Sequence, residues 1–238
     1  CTVTNTGDSK SRQMIRKAHR TNPDAVICVV GCYSQVASEE ITEIEGVSVV
    51  LGTQHRASIV DFVEEYKMTH KQIVKIENVM KVSRFEDLSI HAFENKTRAF
   101  LKIQDGCNNF CTYCIIPYAR GGVRSRPKED VLRQAQELVD RGFVEIVLTG
   151  IHTAGYGVDL DNYSFYDLLV DLTTKIKGLK RLRISSIEMS QVSDEIIELI
   201  GRSPIIVDHL HIPIQSGTDS ILRRMARHYN TAEFEKKY

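Results

Sequence analysis

Short apolar runs followed by amphipathic stretches recur along the chain, and this alternation constrains the fold more than any other feature. The first predicted strands are 25–30 and 47–51, and the first predicted helices are 9–19, 34–44 and 57–66. Gly31 and Gly52 close the two strands. Repeated strand–helix units favour a parallel sheet with helices on its faces. We therefore predict an α/β fold that begins with an open-sheet domain over residues 1–92.

The segment 69–95 has mixed charge and only weak alternation at 72–76, which predicts a connection or an edge strand. A second series follows. Its predicted strands are 98–103, 145–148, 182–185 and 206–212, and its predicted helices are 127–141, 165–175, 194–200 and 218–227. Successive βα units are typical of a parallel barrel, whose chemistry lies on the loops after the strands. We predict a partial (β/α) barrel over residues 96–238.

Composition places the chain among globular proteins and names no partner. Of its 238 residues 42% are hydrophobic and 26% charged, and 31 Lys and Arg balance 31 Asp and Glu. No run approaches the ~18 consecutive apolar residues of a membrane helix, and no secretory leader opens the chain. We expect a soluble, cytoplasmic protein without a membrane partner. Its six cysteines are then reduced thiols available for metal binding or catalysis.

Three of these cysteines follow the predicted strand 98–103 in the sequence C-N-N-F-C-T-Y-C. The thiols of Cys107, Cys111 and Cys114 can converge on one metal centre, and four-iron clusters are held by cysteine thiolates. Because a fourth cysteine is absent from the loop, one iron would stay open for an exogenous ligand. The alternative is a structural zinc site with a distant fourth ligand, although zinc motifs usually pair two C-x-x-C units.

This loop at the end of a first barrel strand resembles the hallmark of the radical S-adenosylmethionine superfamily. Further motifs resemble its methylthiotransferases. They are CTVT at residues 1–4, GCY at 31–33, IIPYARGG at 115–122, RSR at 124–126 and HIPIQSG at 211–217. Within that family, KIQDG at 102–106 and GIHTAGYG at 150–157 are most similar to the threonylcarbamoyladenosine tRNA branch.

The resemblance implies a second, auxiliary [4Fe-4S] cluster held by three cysteines of the N-terminal domain. Cys1 and Cys32 match two of those positions, and the third would lie upstream of residue 1. Cys28 falls inside a predicted strand, where a free cysteine ordinarily acts as a small buried hydrophobe.

The resemblance also implies an S-adenosylmethionine pocket on the loops of the barrel. Its expected residues are Tyr113 near the adenine, with Gly150, Ser186, Glu188, His211 and Gln215 near the methionyl group and the ribose. The ordinary alternative is that Ser186 and Glu188 cap the next helix and that His211 is a satisfied core histidine.

The implied reaction is the methylthiolation of a tRNA base. The open iron would bind S-adenosylmethionine, an electron from a flavodoxin or ferredoxin would cleave it, and the resulting radical would remove hydrogen from an adenine carbon. A methylated sulfur at the auxiliary cluster would then be inserted. The expected substrate is N6-threonylcarbamoyladenosine beside the anticodon, so the tRNA anticodon loop is the expected partner.

Two basic stretches are candidates for RNA contact despite the balanced total charge. Arg120, Arg124 and Arg126 follow the cysteine loop without an intervening acid, and we expect them to meet phosphates. The second stretch, residues 10–20, is more typical of a solvated helix face.

Two other hypotheses remain open from the sequence. One is a metal-stabilised RNA-binding module without turnover. The other is the same chemistry on an isopentenyladenosine tRNA or on an aspartate of a ribosomal protein. Phosphate-loop and nucleophile-elbow motifs are absent, so nucleotide hydrolysis and serine esterase chemistry lack their usual markers.

Overall fold

The computed structural model describes residues 2–88 and 97–237. Internal contacts divide the chain into two compact units. The first unit extends to Val82 and includes Cys114–Gly122, and the second holds Ser83–Tyr113 and the residues from Val123 onward. The expected α/β class is confirmed. The expected domain boundary at 92–96 lies outside the described residues.

The first unit is built on a parallel sheet in the order β1-β2-β3. Its strands are β1 (Ile27–Val30), β2 (Val47–Leu51) and β3 (Ile73–Lys75). Its helices are α1 (Asn5–Thr21), α2 (Cys32–Val36), α3 (Ser38–Thr42), α4 (Ile59–Thr69) and α5 (Ile116–Arg120), with short 3-10 turns at Arg56–Ser58 and Val79–Lys81. All residues of β2 are buried, because this central strand is covered on both faces.

The second unit contains a parallel sheet in the order β4-β7-β8 and a small antiparallel pair, β5-β6. The strands are β4 (Ala99–Lys102), β5 (Gln104–Asp105), β6 (Arg124–Ser125), β7 (Glu145–Thr149) and β8 (Arg181–Ile184). The helices are α6 (Lys128–Asp140), α7 (Phe165–Lys175), α8 (Asp194–Arg202), α9 (Asp219–Arg224) and α10 (Thr231–Lys237), with 3-10 turns at Thr153–Gly155 and Met189–Gln191.

The parallel strands of the second unit place their carboxyl ends at one edge of the sheet. The β4–β7 register pairs Lys102 with Thr149, and the β7–β8 register pairs Leu148 with Ile184. Apolar residues of β4, β7, β8 and α6–α8 form its core. The loops after these strands therefore start from a rigid, buried platform.

The structure corrects two predicted elements. The expected strand 206–212 is present only as parallel bridges from Leu182 to Ile206 and from Ser186 to His211. Leu182 of β8 exchanges backbone hydrogen bonds with Ile205 and Val207, and beyond the strand the Ile187 amide donates to the His211 carbonyl. The segment between Val207 and His211 makes no such bond to β8. The expected helix 34–44 is two short helices, because Ala37 adopts a non-helical φ of −135° between α2 and α3.

In the described parts of the chain, no helix is long and apolar enough to cross a membrane.

Gly157 ends a loop that leaves no room for a side chain. Its φ is +93°, and a Cβ there would lie 2.4 Å from the Tyr163 carbonyl oxygen and 2.8 Å from the Ser164 Cα. Gly142 has nearly the same φ, +94°, but open space around it. We expect Gly157→Ala to lower the free energy of unfolding by about 2 kcal/mol more than Gly142→Ala. Both alanines would adopt a strained left-handed backbone conformation, but only the alanine at 157 would clash with neighbouring atoms. Urea unfolding followed by circular dichroism measures the difference, and equal losses would contradict this account.

Candidate functional site

The cysteine loop begins directly after β5. Gly106 has a φ of +74° and Phe110 a φ of +46°, so the chain turns sharply on both sides of Cys107. The Val123 amide donates to Asn108 Oδ1 at 3.0 Å, and the Thr112 amide donates to the Met225 carbonyl at 3.2 Å. These bonds fix the loop at both ends.

The three cysteines of this loop form no disulfide, and their side chains differ in burial. Cys111 is buried, whereas Cys107 and Cys114 are half-buried. Cys107 and Cys111 belong to the second unit and Cys114 to the first. Among residues 2–88 and 97–237, no three His, Cys, Asp or Glu side chains are close enough to hold a single metal ion. A four-iron cluster distributes its thiolates over separate irons, so its ligands need not converge on one point.

A buried carboxylate, Glu188, lies at the centre of a polar cluster in the second unit. Its Oε2 accepts a short hydrogen bond from Asn109 Nδ2 and lies 3.6 Å from His152 Nε2. Its Oε1 lies 3.2 Å from Arg227 Nη2, in an ion pair without hydrogen-bond geometry. Glu188 Oε1 thus keeps an unused acceptor, which fits the positively charged amino group of S-adenosylmethionine.

Arg227 connects this carboxylate to the cysteine loop. Its Nη1 donates to Cys111 Sγ at 3.3 Å, while its Nη2 faces Glu188. Burial opposes the positive charge, but the Cys111 sulfur and the Glu188 carboxylate outweigh it and raise the pKa of Arg227. A thiolate at Cys111 therefore has a permanent cation beside it, which is consistent with its use as a cluster ligand.

His152 is held by Gln104, the first residue of β5 in the antiparallel pair. The His152 amide donates to Gln104 Oε1 at 2.8 Å, and a Cβ on Gly150 would lie 2.9 Å from the same oxygen. Burial lowers the pKa of His152, Glu188 raises it and Arg227 lowers it, with a net decrease. The imidazole is therefore neutral at neutral pH, and its Nδ1 has no hydrogen-bond partner among the described residues.

The residues expected to bind the cofactor fall into two groups, one at the buried cluster around Glu188 and one exposed. Glu188 lies in the buried cluster, and Gly150 lies next to Gln104 beneath it. Ser186, His211 and Gln215 are exposed, as is half of the Tyr113 side chain. Two of the ordinary alternatives are wrong, since Glu188 makes no side-chain capping bond and His211 is not in the core.

Two of the three arginines that the sequence predicts to meet phosphates are buried. Arg124 and Arg126 are each 2% exposed, so their side chains do not present phosphate-binding groups at the surface. Arg126 donates to the Gln134 Oε1 atom and, at 2.9 Å, to Asp87 Oδ2. Arg124 lies 4.0 Å from Asp105 Oδ2. Both arginines are paired inside the second unit because a buried cation needs a partner.

Arg120, which is half-buried, contacts a cysteine that is expected to hold the auxiliary cluster. Its Nε donates to Cys32 Sγ at 3.1 Å within the first unit. Cys32 is half-buried at the start of α2, after the carboxyl end of β1, and Cys1 lies outside the described residues. Burial raises the pKa of Cys28, which suits a neutral thiol in β1. The donor on Cys32 fits a thiolate ligand at that position.

The basic stretch on α1 behaves mainly as a solvated surface. Arg12 is the exception, because it donates to the Tyr33 hydroxyl at 2.9 Å and pairs with Glu40 at the same distance. The neighbouring Arg16, Lys17 and Arg20 are exposed.

Sequence reasoning missed Asn109, His152 and Arg227 as partners of Glu188. Asn109 lies inside the cysteine loop and His152 follows Gly150, so position offered a signal for these two. Nothing in the local sequence around Arg227 indicated its contact with Cys111, which is 116 residues away along the chain.

Comparison with known families adds to this geometry. The sequence model of the Radical SAM superfamily matches residues 101–237, more than half of the chain. The chain belongs to the radical S-adenosylmethionine superfamily. The superfamily segment covers the cysteine loop, Glu188 and Arg227. A second model, of uncharacterized protein family UPF0004, matches residues 1–52.

Curated relatives confirm the resemblance to methylthiotransferases. The chain is 57% identical over 98% of its length to the threonylcarbamoyladenosine tRNA methylthiotransferase MtaB of Bacillus subtilis. It is 36% identical over 93% of its length to a tRNA-2-methylthio-N(6)-dimethylallyladenosine synthase of Dictyoglomus thermophilum. The chain spans about half the length of these relatives, 52% and 50% respectively.

A solved structure shares the fold of this superfamily member. OxsB, described as a cobalamin-dependent S-adenosylmethionine radical enzyme, superposes with a TM-score of 0.55 at 15% identity. The match covers 93% of this chain and 39% of OxsB.

Proposed function

We propose that this chain is part of a tRNA methylthiotransferase that converts N6-threonylcarbamoyladenosine next to the anticodon into its 2-methylthio derivative. The observation that carries the proposal is the 57% identity to the Bacillus subtilis protein of that name. Four further proteins named MtaB are 34 to 38% identical to this chain, and three proteins named tRNA-2-methylthio-N(6)-dimethylallyladenosine synthase are 34 to 36% identical.

Two [4Fe-4S] clusters and S-adenosylmethionine are the proposed cofactors. Cys107, Cys111 and Cys114 would hold the first cluster, and Cys1 and Cys32 would contribute to the second. When bound, the first cluster supplies the electron that cleaves S-adenosylmethionine, because cofactors carry the hard chemistry in such enzymes. The chain holds and orients the reactants.

The polar side chains around Glu188 suit the binding and orientation of S-adenosylmethionine. Glu188 is fixed by Asn109 on one oxygen and keeps an acceptor on the other, so it can receive the methionyl amino group. At the end of β7, Gly150 lets the Gln104 side chain approach the backbone closely, since a Cβ there would lie 2.9 Å from Gln104 Oε1.

Four exposed residues are proposed to bind the other parts of S-adenosylmethionine. Tyr113 offers an accessible aromatic face for the adenine, and Ser186, His211 and Gln215 offer accessible polar groups for the ribose and carboxylate. We also propose a cytoplasmic location and a flavodoxin or ferredoxin as the electron donor. We do not include Arg124 and Arg126 in the proposed RNA contact, because both side chains are buried and paired with residues of the second unit.

A substrate competition tests the proposal. The full-length protein, with clusters reconstituted without oxygen, is offered threonylcarbamoyladenosine tRNA, isopentenyladenosine tRNA and the ribosomal-protein aspartate in parallel. We expect mass spectrometry to show methylthiolation of the first, because the chain is 57% identical to a threonylcarbamoyladenosine tRNA methylthiotransferase. Preferential modification of either rival, or no cleavage of S-adenosylmethionine at all, would overturn the assignment.

A further inference from the structure

One guanidinium contacts both an expected cluster thiol and an expected cofactor carboxylate. Arg227 reaches Cys111 Sγ through Nη1 at 3.3 Å and Glu188 Oε1 through Nη2 at 3.2 Å. Its side chain is only 6% exposed. The two contacts use different nitrogens, so a single planar group can make them together.

The surroundings hold this guanidinium in place. The ring of Tyr229 lies 5.2 Å from the Arg227 Cζ, and its hydroxyl donates to the Ile214 carbonyl at 2.6 Å. The Arg227 amide donates to the Leu222 carbonyl at 3.0 Å, which ties the residue to the end of α9. The contact with the Tyr229 ring and the backbone hydrogen bond thus fix the orientation of the Arg227 guanidinium, whose two terminal nitrogens form a fork.

We propose that Arg227 is a positioning residue that sets the reduction potential of the cluster bound through Cys111 and aligns Glu188 toward the amino group of S-adenosylmethionine. The inference rests on the proposed function, because it requires a cluster at Cys107, Cys111 and Cys114. The step concerned is the reduction of the cluster, in which one electron passes from a low-potential donor to the cluster. The donor is oxidised, and the bond between Cys111 and its iron is unchanged.

The direction of the effect follows from charge. Hydrogen bonds to ligating sulfurs and nearby charge are established determinants of cluster potential. The reduced cluster carries one more negative charge than the oxidised cluster, so the Arg227 cation stabilises the reduced state. Arginine stays protonated at any working pH, hence its contribution is permanent. Removing it must make the cluster harder to reduce.

The first experiment compares midpoint potentials. Arg227→Gln and Arg227→Lys are made in the full-length protein, with Arg223→Gln as the matched control, because Arg223 is an exposed arginine of the preceding helix. The potential is read from the electron paramagnetic resonance signal that responds to S-adenosylmethionine. We expect Arg227→Gln to make reduction about tenfold less favourable, a decrease of about 59 mV for one electron. The Lys variant keeps the charge but not the fork and is expected between the two, while Arg223→Gln stays at the wild-type potential.

The second experiment measures S-adenosylmethionine affinity in a double-mutant cycle of Arg227→Gln and Glu188→Gln. We expect each single change to weaken binding about tenfold, and the double variant to bind about as weakly as Glu188→Gln alone, since contacting residues couple. Additive losses would overturn the alignment of Glu188 by Arg227.

The controls separate failure of the inference from failure of the proposed function. If the wild-type protein shows no cluster signal that responds to S-adenosylmethionine, the proposed function fails. If that signal is present and Arg227→Gln retains full iron and a wild-type midpoint potential, only the role of Arg227 is overturned. A variant that unfolds is replaced by Arg227→Lys, whose unchanged potential and unchanged affinity would overturn the inference in the same way.

Discussion

Replacing Cys107, Cys111 and Cys114 together with alanine abolishes cleavage of S-adenosylmethionine in the anaerobically reconstituted full-length protein. The expected loss is complete because the cluster has no other thiolate ligands in this loop and cluster binding needs its ligand set. Iron content should fall by about four atoms per chain, the content of one such cluster. Product analysis for 5′-deoxyadenosine, with iron and acid-labile sulfide determination, measures both effects.

Cys28→Ala is the matched control for this triple replacement. Cys28 is a free thiol within β1, and burial raises its pKa, so we expect it to bind no iron. Its replacement should leave iron content and cleavage unchanged. Cleavage that survives the triple replacement would show that the loop does not hold the catalytic cluster.

Replacing Arg126 with alanine destabilises the fold by about 2 kcal/mol, within the range for removing a buried hydrogen-bond partner. The change removes the hydrogen bond that Arg126 donates to the buried Gln134 side chain. It also removes the Arg126 contact of Asp87, whose partly exposed carboxylate recovers some hydration. Chemical denaturation of the full-length protein measures the loss.

Arg133→Ala provides the contrast. Arg133 also binds two side chains, Asp130 at 2.7 Å and Glu137 at 3.2 Å, but on the exposed face of α6. Exposed ion pairs contribute little to stability, so the loss on replacing Arg133 should be small. If Arg126→Ala instead kept full stability and weakened tRNA binding, Arg126 would be an RNA contact and its buried pairing would be irrelevant.

Local patterns were enough to predict much of the fold. The strands β2 and β7, the helix α7 and the order of βα units follow from apolar periodicity, which depends on neighbouring residues only. The sequence predicts a strand over 206–212 because the apolar residues there fit the strand pattern. The structure has only two bridges there, because strand hydrogen bonds depend on a neighbour elsewhere in the sequence.

The sequence by itself determined the α/β class and the three-thiol loop, since both are encoded by residues close together along the chain. Only the tertiary structure decided which side chains surround Glu188, because Asn109 lies 79 residues before it and burial is set by long-range packing. The same holds for the arginines after the loop. Arg124 and Arg126 have the sequence pattern of a basic surface, yet packing places Asp105, Asp87 and Gln134 against them, and a paired cation can then be buried.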